Sequence, residues 1–504
     1  MTGPLLAAEL ARVRAGERAS LHMPGHKGGR GASALAVETL GAAAFAADVS
    51  EMGGYDYLHA PQGALAEAQA AAATTFGAAR TFFLVNGSTV GNQAAVMACC
   101  GDGDGLVMER GSHRSVYAGC VLSGAVPRYV PMAHDQARDG WFVGDASALG
   151  DPLWLTAGPQ ANSRPQRLGA VHVTRPNYYG IACDLAPWVA FARAHDVPLI
   201  VDEAHGAHFG LHPAFPAGAL ALGADLVIQS THKTLGALTQ SSMLHVGVDA
   251  VASGAVDIER LANTLHLLQS SSPSALLTIS LDLARAALDQ QPFEDVIRLA
   301  IDLGERVRGL APGLALVATD DPTKIVIDVT GLGLTGFGAG ERLRTEHGLW
   351  VELADFRRIV VSVTLGDSAE SVDMIARGLA ALCADDLHGN GSHAHAPAPA
   401  RAAADANRTV SQAPTDPADA LLPVMVVAPR AAEQASKVAV PIEASVGRVV
   451  GEYVIPYPPG IPLVVPGERI DTRVLAALAR FEAVGCRIVG PSDATLATLR
   501  VIAD

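Results

Sequence analysis

The stretch Ala224-Asp-Leu-Val-Ile-Gln-Ser230-Thr-His-Lys233 is a short apolar run that ends in polar residues. This pattern predicts a buried strand over Ala224–Ile228. Four similar runs predict further strands: Thr81–Val85, Gly105–Met108, Ala170–Thr174 and Pro198–Val201. Helix-like segments such as Leu185–His195 follow several of them. The alternation predicts an α/β fold with a large, mostly parallel sheet that helices cover on both faces.

Two chemically active side chains follow neighbouring strands of this predicted sheet, where ligands of such sheets bind. Asp202 ends the strongly apolar run Pro198–Val201, so its carboxylate is partly desolvated and needs a cationic partner. A pyridinium nitrogen, a metal or a structural ion pair would each provide one. Lys233 comes 233 − 202 = 31 residues later, after the next strand. A lysine there is placed to form a Schiff base with an aldehyde cofactor.

The ends of the other strands carry groups that suit the same cofactor. Ser88 and Thr89 open a helical run after Thr81–Val85, where backbone N–H groups and the helix dipole favour an anion, although both residues are also ordinary helix caps. His113 follows Gly105–Met108 and would stack on an aromatic ring or lie in an ordinary loop. Ser230 and His232 lie between the predicted strand Ala224–Ile228 and Lys233, and they would hold a phosphate. Taken together, these side chains predict pyridoxal 5′-phosphate as the cofactor.

Composition limits the classes of protein that this chain can be. The 504 residues suggest roughly two to four domains, and 49% hydrophobic with 17% charged residues indicates a globular protein. The net charge is 36 − 51 = −15, which argues against nucleic acid or an anionic membrane as the main partner. The six scattered cysteines predict neither disulfides nor a metal site. With no membrane-spanning run and no evident signal peptide, we expect a cytoplasmic protein.

Four motifs resemble those of the Orn/Lys/Arg decarboxylase family, which belongs to the aspartate-aminotransferase-like pyridoxal enzymes. They are Leu21-His-Met-Pro-Gly-His-Lys-Gly28, Asp202-Glu-Ala-His205, Ser230-Thr-His-Lys233 and Ile455-Pro-Tyr-Pro-Pro-Gly-Ile-Pro-Leu463. The joint presence of the first and last motifs is highly specific. The likeness covers nearly the whole chain except the segment 386–420. The chain resembles the short form of the family, which lacks a receiver-like N-terminal domain. It implies fold type I of the pyridoxal enzymes, with a sheet of the seven-stranded type.

The resemblance also implies roles for individual residues. Lys233 would hold the cofactor covalently, Asp202 would pair with the ring nitrogen, and His113 would stack on the ring with His205 beneath it. The phosphate would be bound by Ser88, Thr89, Ser230 and His232, and Lys233 or His232 would move the proton at Cα. Glu352, in Trp350-Val351-Glu352, would bind the distal cation of the substrate. No metal is expected.

The implied organisation has five parts, and the implied assembly is at least a homodimer. The parts are an N-terminal arm (1–60), a cofactor-binding large domain (61–300), a small α/β domain (301–385), an Ala/Pro-rich disordered linker (386–420) and a C-terminal decarboxylase domain (421–504). Strands of the small domain are expected at Lys324–Val329, Leu349–Leu353 and Ile359–Thr364. Met23–Lys27 and Asp48–Asp56 would complete the active site of a partner subunit or pack as an arm.

The implied reaction is α-decarboxylation of a basic amino acid, which yields carbon dioxide and an amine of polyamine biosynthesis. Family analogy ranks arginine first, lysine second and ornithine third. The alternative is an aminotransferase, which needs an arginine to bind the substrate α-carboxylate, and Arg342, Arg357 and Arg358 are candidates. A non-catalytic regulator that holds the cofactor is a further alternative.

A glycine-rich motif offers a competing interpretation. Gly331, Gly333 and Gly336 fit G-x-G-x-x-G after the strand Lys324–Val329, and Glu352 comes 21 positions after the first glycine. This pattern is typical of a dinucleotide site. The helix expected after the glycines is short, spanning little more than Gly340–His347, and the second half of a dinucleotide-binding fold is hard to find in the sequence. We therefore interpret the glycines as a turn of the small domain.

Overall fold

The computed structural model describes residues 3–16, 19–51, 54–150, 167–310, 313–387, 423–457 and 460–503. It divides into two compact units. The first consists of Met1–Cys99, Val189–Phe209 and Ala217–Gln291, and the second of Cys100–Trp188, Gly210–Pro216 and Pro292–Asp504. The predicted linker lies, from residue 388 onward, outside the described residues.

Seventeen strands occur in the described part of the chain. They are β1 (Arg80–Leu84), β2 (Gly105–Glu109), β3 (Val126–Val130), β4 (Met132–Asp135), β5 (Gly140–Gly144), β6 (Leu168–Thr174), β7 (Leu199–Asp202), β8 (Leu226–Gln229), β9 (Ser242–Val246), β10 (Ala315–Val317), β11 (Lys324–Asp328), β12 (Leu353–Ala354), β13 (Arg358–Ser362), β14 (Lys437–Pro441), β15 (Ile455–Tyr457), β16 (Arg487–Val489) and β17 (Thr498–Ile502).

The α-helices among the same residues number sixteen. They are α1 (Leu5–Gly16), α2 (Ala34–Leu40), α3 (Ala42–Ala47), α4 (Ala64–Phe76), α5 (Gly87–Cys99), α6 (Arg114–Ser123), α7 (Ala186–Ala194), α8 (Thr231–Thr234), α9 (Val248–Ser253), α10 (Ile258–Leu268), α11 (Ala275–Ala286), α12 (Phe293–Gly309), α13 (Gly336–His347), α14 (Ala369–Leu387), α15 (Pro429–Gln434) and α16 (Thr472–Ala483). None of the described helices is long and apolar enough to cross a membrane.

The large sheet has seven strands, of which β1, β7, β8 and β9 belong to the first unit and β2, β3 and β6 to the second. All five strands predicted for it from the sequence are present, within two residues at each end, which confirms the α/β class. The sequence analysis missed β3 and β9. In the second unit β2 pairs parallel with β3 and with β6.

The first unit brings four strand termini to one edge of its sheet. Its strands run in the order β1-β9-β8-β7, with β7 parallel to β8 and β9 antiparallel to both β8 and β1. The carboxyl ends of β1, β7 and β8 therefore meet at the same edge as the first residue of β9. This edge carries Asp202 at the end of β7 and Ser230 after β8.

The second unit also contains a four-stranded sheet in the order β10-β11-β13-β12, in which every pair is antiparallel. Helices α12, α13 and α14 pack on it through a core that includes Leu303, Ile327, Leu343 and Leu379. The strand predicted at Leu349–Leu353 is wrong in its extent, because Gly348 ends α13 in a left-handed conformation and β12 starts only at Leu353.

This antiparallel sheet explains the glycine-rich motif. A dinucleotide-binding half needs a parallel β-α-β unit, whereas β11 has antiparallel neighbours on both sides. Gly331 lies against the backbone of Gly313, and a Cβ on Gly336 would collide with the carbonyl of Arg358. Gly331 and Gly336 therefore permit a close approach of backbone segments after β11, where the chain forms a short turn, as the turn interpretation predicts.

Candidate active site

Three serine hydroxyls meet at the strand edge of the first unit. Ser88 lies in the first turn of α5, Ser230 follows β8, and Ser242 is the first residue of β9. Ser88 Oγ lies 2.7 Å from Ser230 Oγ and 3.2 Å from Ser242 Oγ, and all three residues are buried. We call them the serine cluster. Hydroxyls at the N-terminus of a 13-residue helix form a site that suits a phosphate.

The other two predicted phosphate ligands border this cluster in the chain. Thr89 follows Ser88 in the first turn of α5 and is exposed. His232 lies in the short helix α8, and its Nδ1 donates to the carbonyl of Ser241 at 2.8 Å. Burial lowers the pKa of His232 below its usual range, and the charge of Lys233 lowers it further, although the hydrogen bond to Ser241 opposes both effects. The imidazole is therefore neutral at pH 7.

The Asp202 carboxylate is buried and is held by neutral donors. Asn92 Nδ2 donates to Oδ2 at 2.7 Å, and the backbone N–H of Ala204 donates to Oδ1 at 3.1 Å. Among the residues that the structure describes, no lysine or arginine forms an ion pair with Asp202. A carboxylate in this setting favours a cation brought by a ligand.

Lys233 and His205 form the third part of the site. Lys233 Nζ lies 3.0 Å from His205 Nε2, which is hydrogen-bonding distance, so a proton can be shared between the two nitrogens. His205 is buried, whereas Lys233, the third residue of the four-residue helix α8, is exposed. The amine is thus accessible to an incoming aldehyde while the imidazole fixes its position.

These side chains match the functional groups of pyridoxal phosphate. The serine cluster and the helix N-terminus suit the phosphate, the buried carboxylate suits the protonated ring nitrogen, and the lysine amine suits the aldehyde. All of these side chains lie in the first unit.

His113 lies in the second unit, where it caps α6. Its Nδ1 accepts from the backbone N–H of Ser115 at 3.3 Å and lies 2.8 Å from Ser115 Oγ. A Cβ on Gly460 would approach His113 Cδ2 to 3.9 Å, so the Pro-rich segment that contains Gly460 passes close to this ring. The imidazole plane is held by its neighbours, as a stacking role requires.

Arg110 anchors the same Pro-rich segment. Its guanidinium donates to the carbonyls of Pro462 and Leu463, each at 2.9 Å, and to Tyr117 Oη at 2.8 Å. It also pairs with the Glu468 carboxylate at 3.3 Å, and all of these groups are buried. We call Arg110, Tyr117 and Glu468 the arginine cluster.

The predicted substrate carboxylate and the three candidate arginines also lie in the second unit. Glu352 is exposed, and its backbone N–H donates to Val360 at the edge of β12. Each arginine already has an acidic partner: Arg342 pairs with Glu346, Arg357 with Asp328 and Asp139, and Arg358 with Asp355. Because these arginines are already paired, they do not support the aminotransferase alternative, which needs an arginine that binds the substrate α-carboxylate.

A second buried network runs beside Asp202 in the first unit. Gln229 Nε2 donates to Glu203 Oε2 at 2.8 Å, and Gln229 Oε1 accepts from His245 Nε2 at 3.0 Å. His245 Nδ1 in turn accepts from Thr81 Oγ1 at 2.8 Å. Burial lowers the pKa of His245 to about 3, so this ring is neutral.

The sequence analysis missed Asn92, Ser242 and Arg110. Asn92 follows Ser88 by four residues, the spacing that places two side chains on one face of a helix, so this residue could have been found. Ser242 begins an antiparallel strand, and a search restricted to strand ends does not reach it. Arg110 also binds Pro462 and Glu468, which are more than 350 residues away in the chain, and no local pattern reveals those contacts.

Comparison with known proteins identifies the family to which the chain belongs. The family model described as "Orn/Lys/Arg decarboxylase, major domain" matches residues 3–315, and the model of the C-terminal domain of the same family matches residues 411–488. An arginine decarboxylase of Halalkalibacterium halodurans is 34% identical over 95% of this chain and 94% of its own. One of Bacillus subtilis is 32% identical over the same shares.

Solved structures agree in fold. The lysine decarboxylase of Francisella novicida superimposes with a TM-score of 0.81 at 21% identity, over 99% of this chain and 81% of its own. The constitutive lysine decarboxylase of Escherichia coli gives 0.79 at 20% identity, over 99% and 82%. The expected fold type I of pyridoxal enzymes is thereby confirmed.

Proposed function

The chain belongs to the Orn/Lys/Arg decarboxylase family and is a pyridoxal-phosphate-dependent decarboxylase of basic amino acids, and we propose that its preferred substrate is arginine. The products would be agmatine and carbon dioxide. Lysine and ornithine would follow as weaker substrates and give cadaverine and putrescine. The observation that carries the proposal is that Lys233, the serine cluster and Asp202, whose carboxylate accepts from the neutral donors Asn92 and Ala204, meet at one sheet edge.

We propose that the serine cluster binds the cofactor phosphate together with Thr89 and His232. The hydroxyl hydrogens can rotate toward an anion, and the N-terminus of α5 adds backbone donors and a favourable dipole. The phosphate carries strong acceptors only, so His232 must take up a proton at Nε2 to donate to it. The Nδ1 proton is already used by Ser241.

The ring would be held by three groups. Asp202 would keep the ring nitrogen protonated, because the positive charge on that nitrogen supplies the cation that the buried carboxylate lacks. His113 would stack on one face of the ring and His205 would lie beneath it. When bound, the cofactor accepts the electron pair that carbon dioxide leaves behind.

Lys233 would attach the cofactor and then exchange protons near the reacting carbon. Its amine lies 3.0 Å from His205 Nε2, so the imidazole can accept a proton from the ammonium form and return it. Either Lys233 or His232 is our candidate for protonating Cα of the product. Burial lowers the pKa of His232 in the protein without cofactor, so this residue would first have to take up a proton before it could donate one.

Substrate selection is proposed to rest on Glu352. An exposed carboxylate binds the distal guanidinium or ammonium of a basic amino acid by charge, and a guanidinium adds a forked pair of hydrogen bonds. Arginine is ranked first because relatives with 32–34% identity, among them those of Halalkalibacterium halodurans and Bacillus subtilis described above, are named arginine decarboxylases. The proposed domains are those that the sequence predicts, with the cofactor bound within residues 61–300.

We further propose a cytoplasmic homodimer that contributes amines to polyamine biosynthesis. The N-terminal arm exposes Leu21 (94%), Met23 (70%), Leu35 (71%) and Leu40 (63%) to solvent. A second copy that covers this surface would remove several apolar side chains from water. Met23–Lys27 and Asp48–Asp56 would then be available to the partner's site.

A product assay tests the reaction and the substrate together. Purified protein with added pyridoxal phosphate is given arginine, lysine and ornithine separately, and carbon dioxide and amine are measured. We expect agmatine to form fastest and Lys233→Ala to form no product. Lys437→Ala, which removes a lysine of the second unit that pairs with Glu433, serves as the matched control and should keep full activity. Glutamate formed from added 2-oxoglutarate, without carbon dioxide release, would contradict the proposal.

A further inference from the structure

Asn92 is the side chain that orients Asp202. It lies one helical turn after Ser88 and is 1% exposed. A Cβ on the preceding residue, Gly91, would come within 2.8 Å of Ile228 and Leu84, so α5 packs unusually close to β8 and β1. This close approach brings the short Asn92 side chain to hydrogen-bonding distance from Asp202, at 2.7 Å.

The amide orients the carboxylate without neutralising it. An ionised carboxylate offers about four acceptor sites, and Asn92 and the Ala204 N–H occupy one on each oxygen of Asp202. An amide carries no net charge, so the negative charge of Asp202 remains available to a cation. A lysine or arginine in the place of Asn92 would instead occupy the carboxylate permanently.

We propose that Asn92 is a positioning residue for the cofactor, which holds the Asp202 carboxylate in the orientation that receives the ring nitrogen of pyridoxal phosphate. The inference rests on the proposed function, since it takes pyridoxal phosphate as the ligand of Asp202. Asn92 does not touch the reacting atoms. It acts through the carboxylate.

The test is the affinity of the apoprotein for pyridoxal phosphate, measured by absorbance titration. Asn92→Ala removes one hydrogen bond to a charged group, so we expect the dissociation constant to rise roughly 10- to 100-fold. We expect kcat to fall at saturating cofactor and KM for arginine to stay within about twofold, because the amide faces Asp202 and not the substrate. Asn92→Asp keeps the size of the side chain but places two carboxyl groups in contact, and should weaken binding at least as much.

Gln229→Ala is the matched control, because the chain offers a second buried amide–carboxylate hydrogen bond in the same unit. Gln229 donates to Glu203 at 2.8 Å, but its other contact is His245 in the neutral network. Thermal unfolding of the apoproteins measures the structural cost of each variant. We expect both alanine variants to lose similar stability, and only Asn92→Ala to lose cofactor affinity.

The outcomes separate this inference from the proposed function. Equal losses of affinity in Asn92→Ala and Gln229→Ala, or an unchanged affinity in both Asn92 variants, would overturn the positioning role while the wild-type enzyme still decarboxylates arginine. A wild-type protein that binds no pyridoxal phosphate would instead refute the proposed function. If Asn92→Ala does not fold, Asn92→Asp decides the question.

Discussion

Two buried carboxylates, Asp202 in the first unit and Glu468 in the second, are stabilised in opposite ways. Glu468 is fully buried and pairs with Arg110 at 3.3 Å, and it accepts the N–H of Val465 at 2.9 Å. Asp202 is 3% exposed and accepts hydrogen bonds from an amide and a backbone N–H. In the described residues the chain supplies a cation to Glu468 and none to Asp202.

This difference separates a structural ion pair from a ligand site. Burial raises the pKa of Glu468, and Arg110 opposes that rise. Burial also lowers the pKa of Arg110, but Glu468, Tyr117 and Tyr129 together raise it above its usual value. Each partner thus depends on the other, and the pair fixes the Pro-rich segment through Pro462 and Leu463. In our proposal, Asp202 instead receives its cationic partner from the cofactor. Four predictions test this contrast.

The largest effect is expected on breaking the arginine cluster. Arg110→Met leaves Glu468 buried without its cation and should lower the free energy of unfolding by about 3–5 kcal/mol, as measured by urea denaturation. The double variant Arg110→Met/Glu468→Met removes both charges and should recover much of that loss. A loss below about 1 kcal/mol in the single variant would show that the pair contributes little to stability.

Removing Asp202 should reduce activity strongly and stability little, the reverse of what is expected for Arg110. Asp202→Ala should lower kcat for arginine on the order of 10²- to 10³-fold, because the electrostatic partner of the cofactor ring is lost. The apoprotein should keep its free energy of unfolding within about 1 kcal/mol, since the variant removes a buried charge that is held by neutral donors in the described part of the chain. Activity and apoprotein denaturation are measured on the same preparation. A large loss of stability with little loss of kcat would reverse the comparison.

Residues of the site that follow a recognisable local pattern could be predicted from the sequence, and the others could not. Asp202, Ser230 and Lys233 follow strands whose apolar runs are evident, and parallel strands bring their carboxyl ends to one edge. Asn92 is accessible to the same reasoning through its helical spacing from Ser88. Ser242 is not, because the direction of β9 depends on its pairing with β1 and β8.

Long-range pairing sets the limit for the fold as well. The five large-sheet strands with clear apolar runs were predicted within two residues at each end, while β3 (Val126-Pro-Arg-Tyr-Val130) contains a proline and an arginine that obscure its pattern. The arginine cluster joins residues more than 350 positions apart, and burial of Arg110 is visible only once those segments meet.

His245 provides a buried group that needs no charged partner at all. Its pKa is about 3 in the folded protein and about 6.5 in an unfolded chain, so unfolding takes up a proton between these values. A depressed folded pKa makes the free energy of unfolding fall as pH drops below about 6.5, by about 2 kcal/mol at pH 5. His245→Gln should remove that part of the pH dependence in urea denaturation series. Parallel pH curves for the two proteins would contradict the prediction.

The smallest expected effect concerns His232. In our proposal this imidazole is neutral in the protein without cofactor and becomes charged only when it binds the cofactor phosphate. Burial and Lys233 lower its pKa, and its Nδ1 proton already binds Ser241. Binding the cofactor phosphate through Nε2 therefore requires proton uptake, so the affinity for pyridoxal phosphate should fall a few-fold more between pH 6 and pH 8 in the wild-type protein than in His232→Gln. Titrations of both apoproteins at each pH cancel the ionisation of the cofactor itself and of Lys233. Identical pH dependence in the two proteins would remove His232 from the phosphate site, whereas the expected difference would mark it as a group that, like Asp202, acquires its charged partner from the ligand.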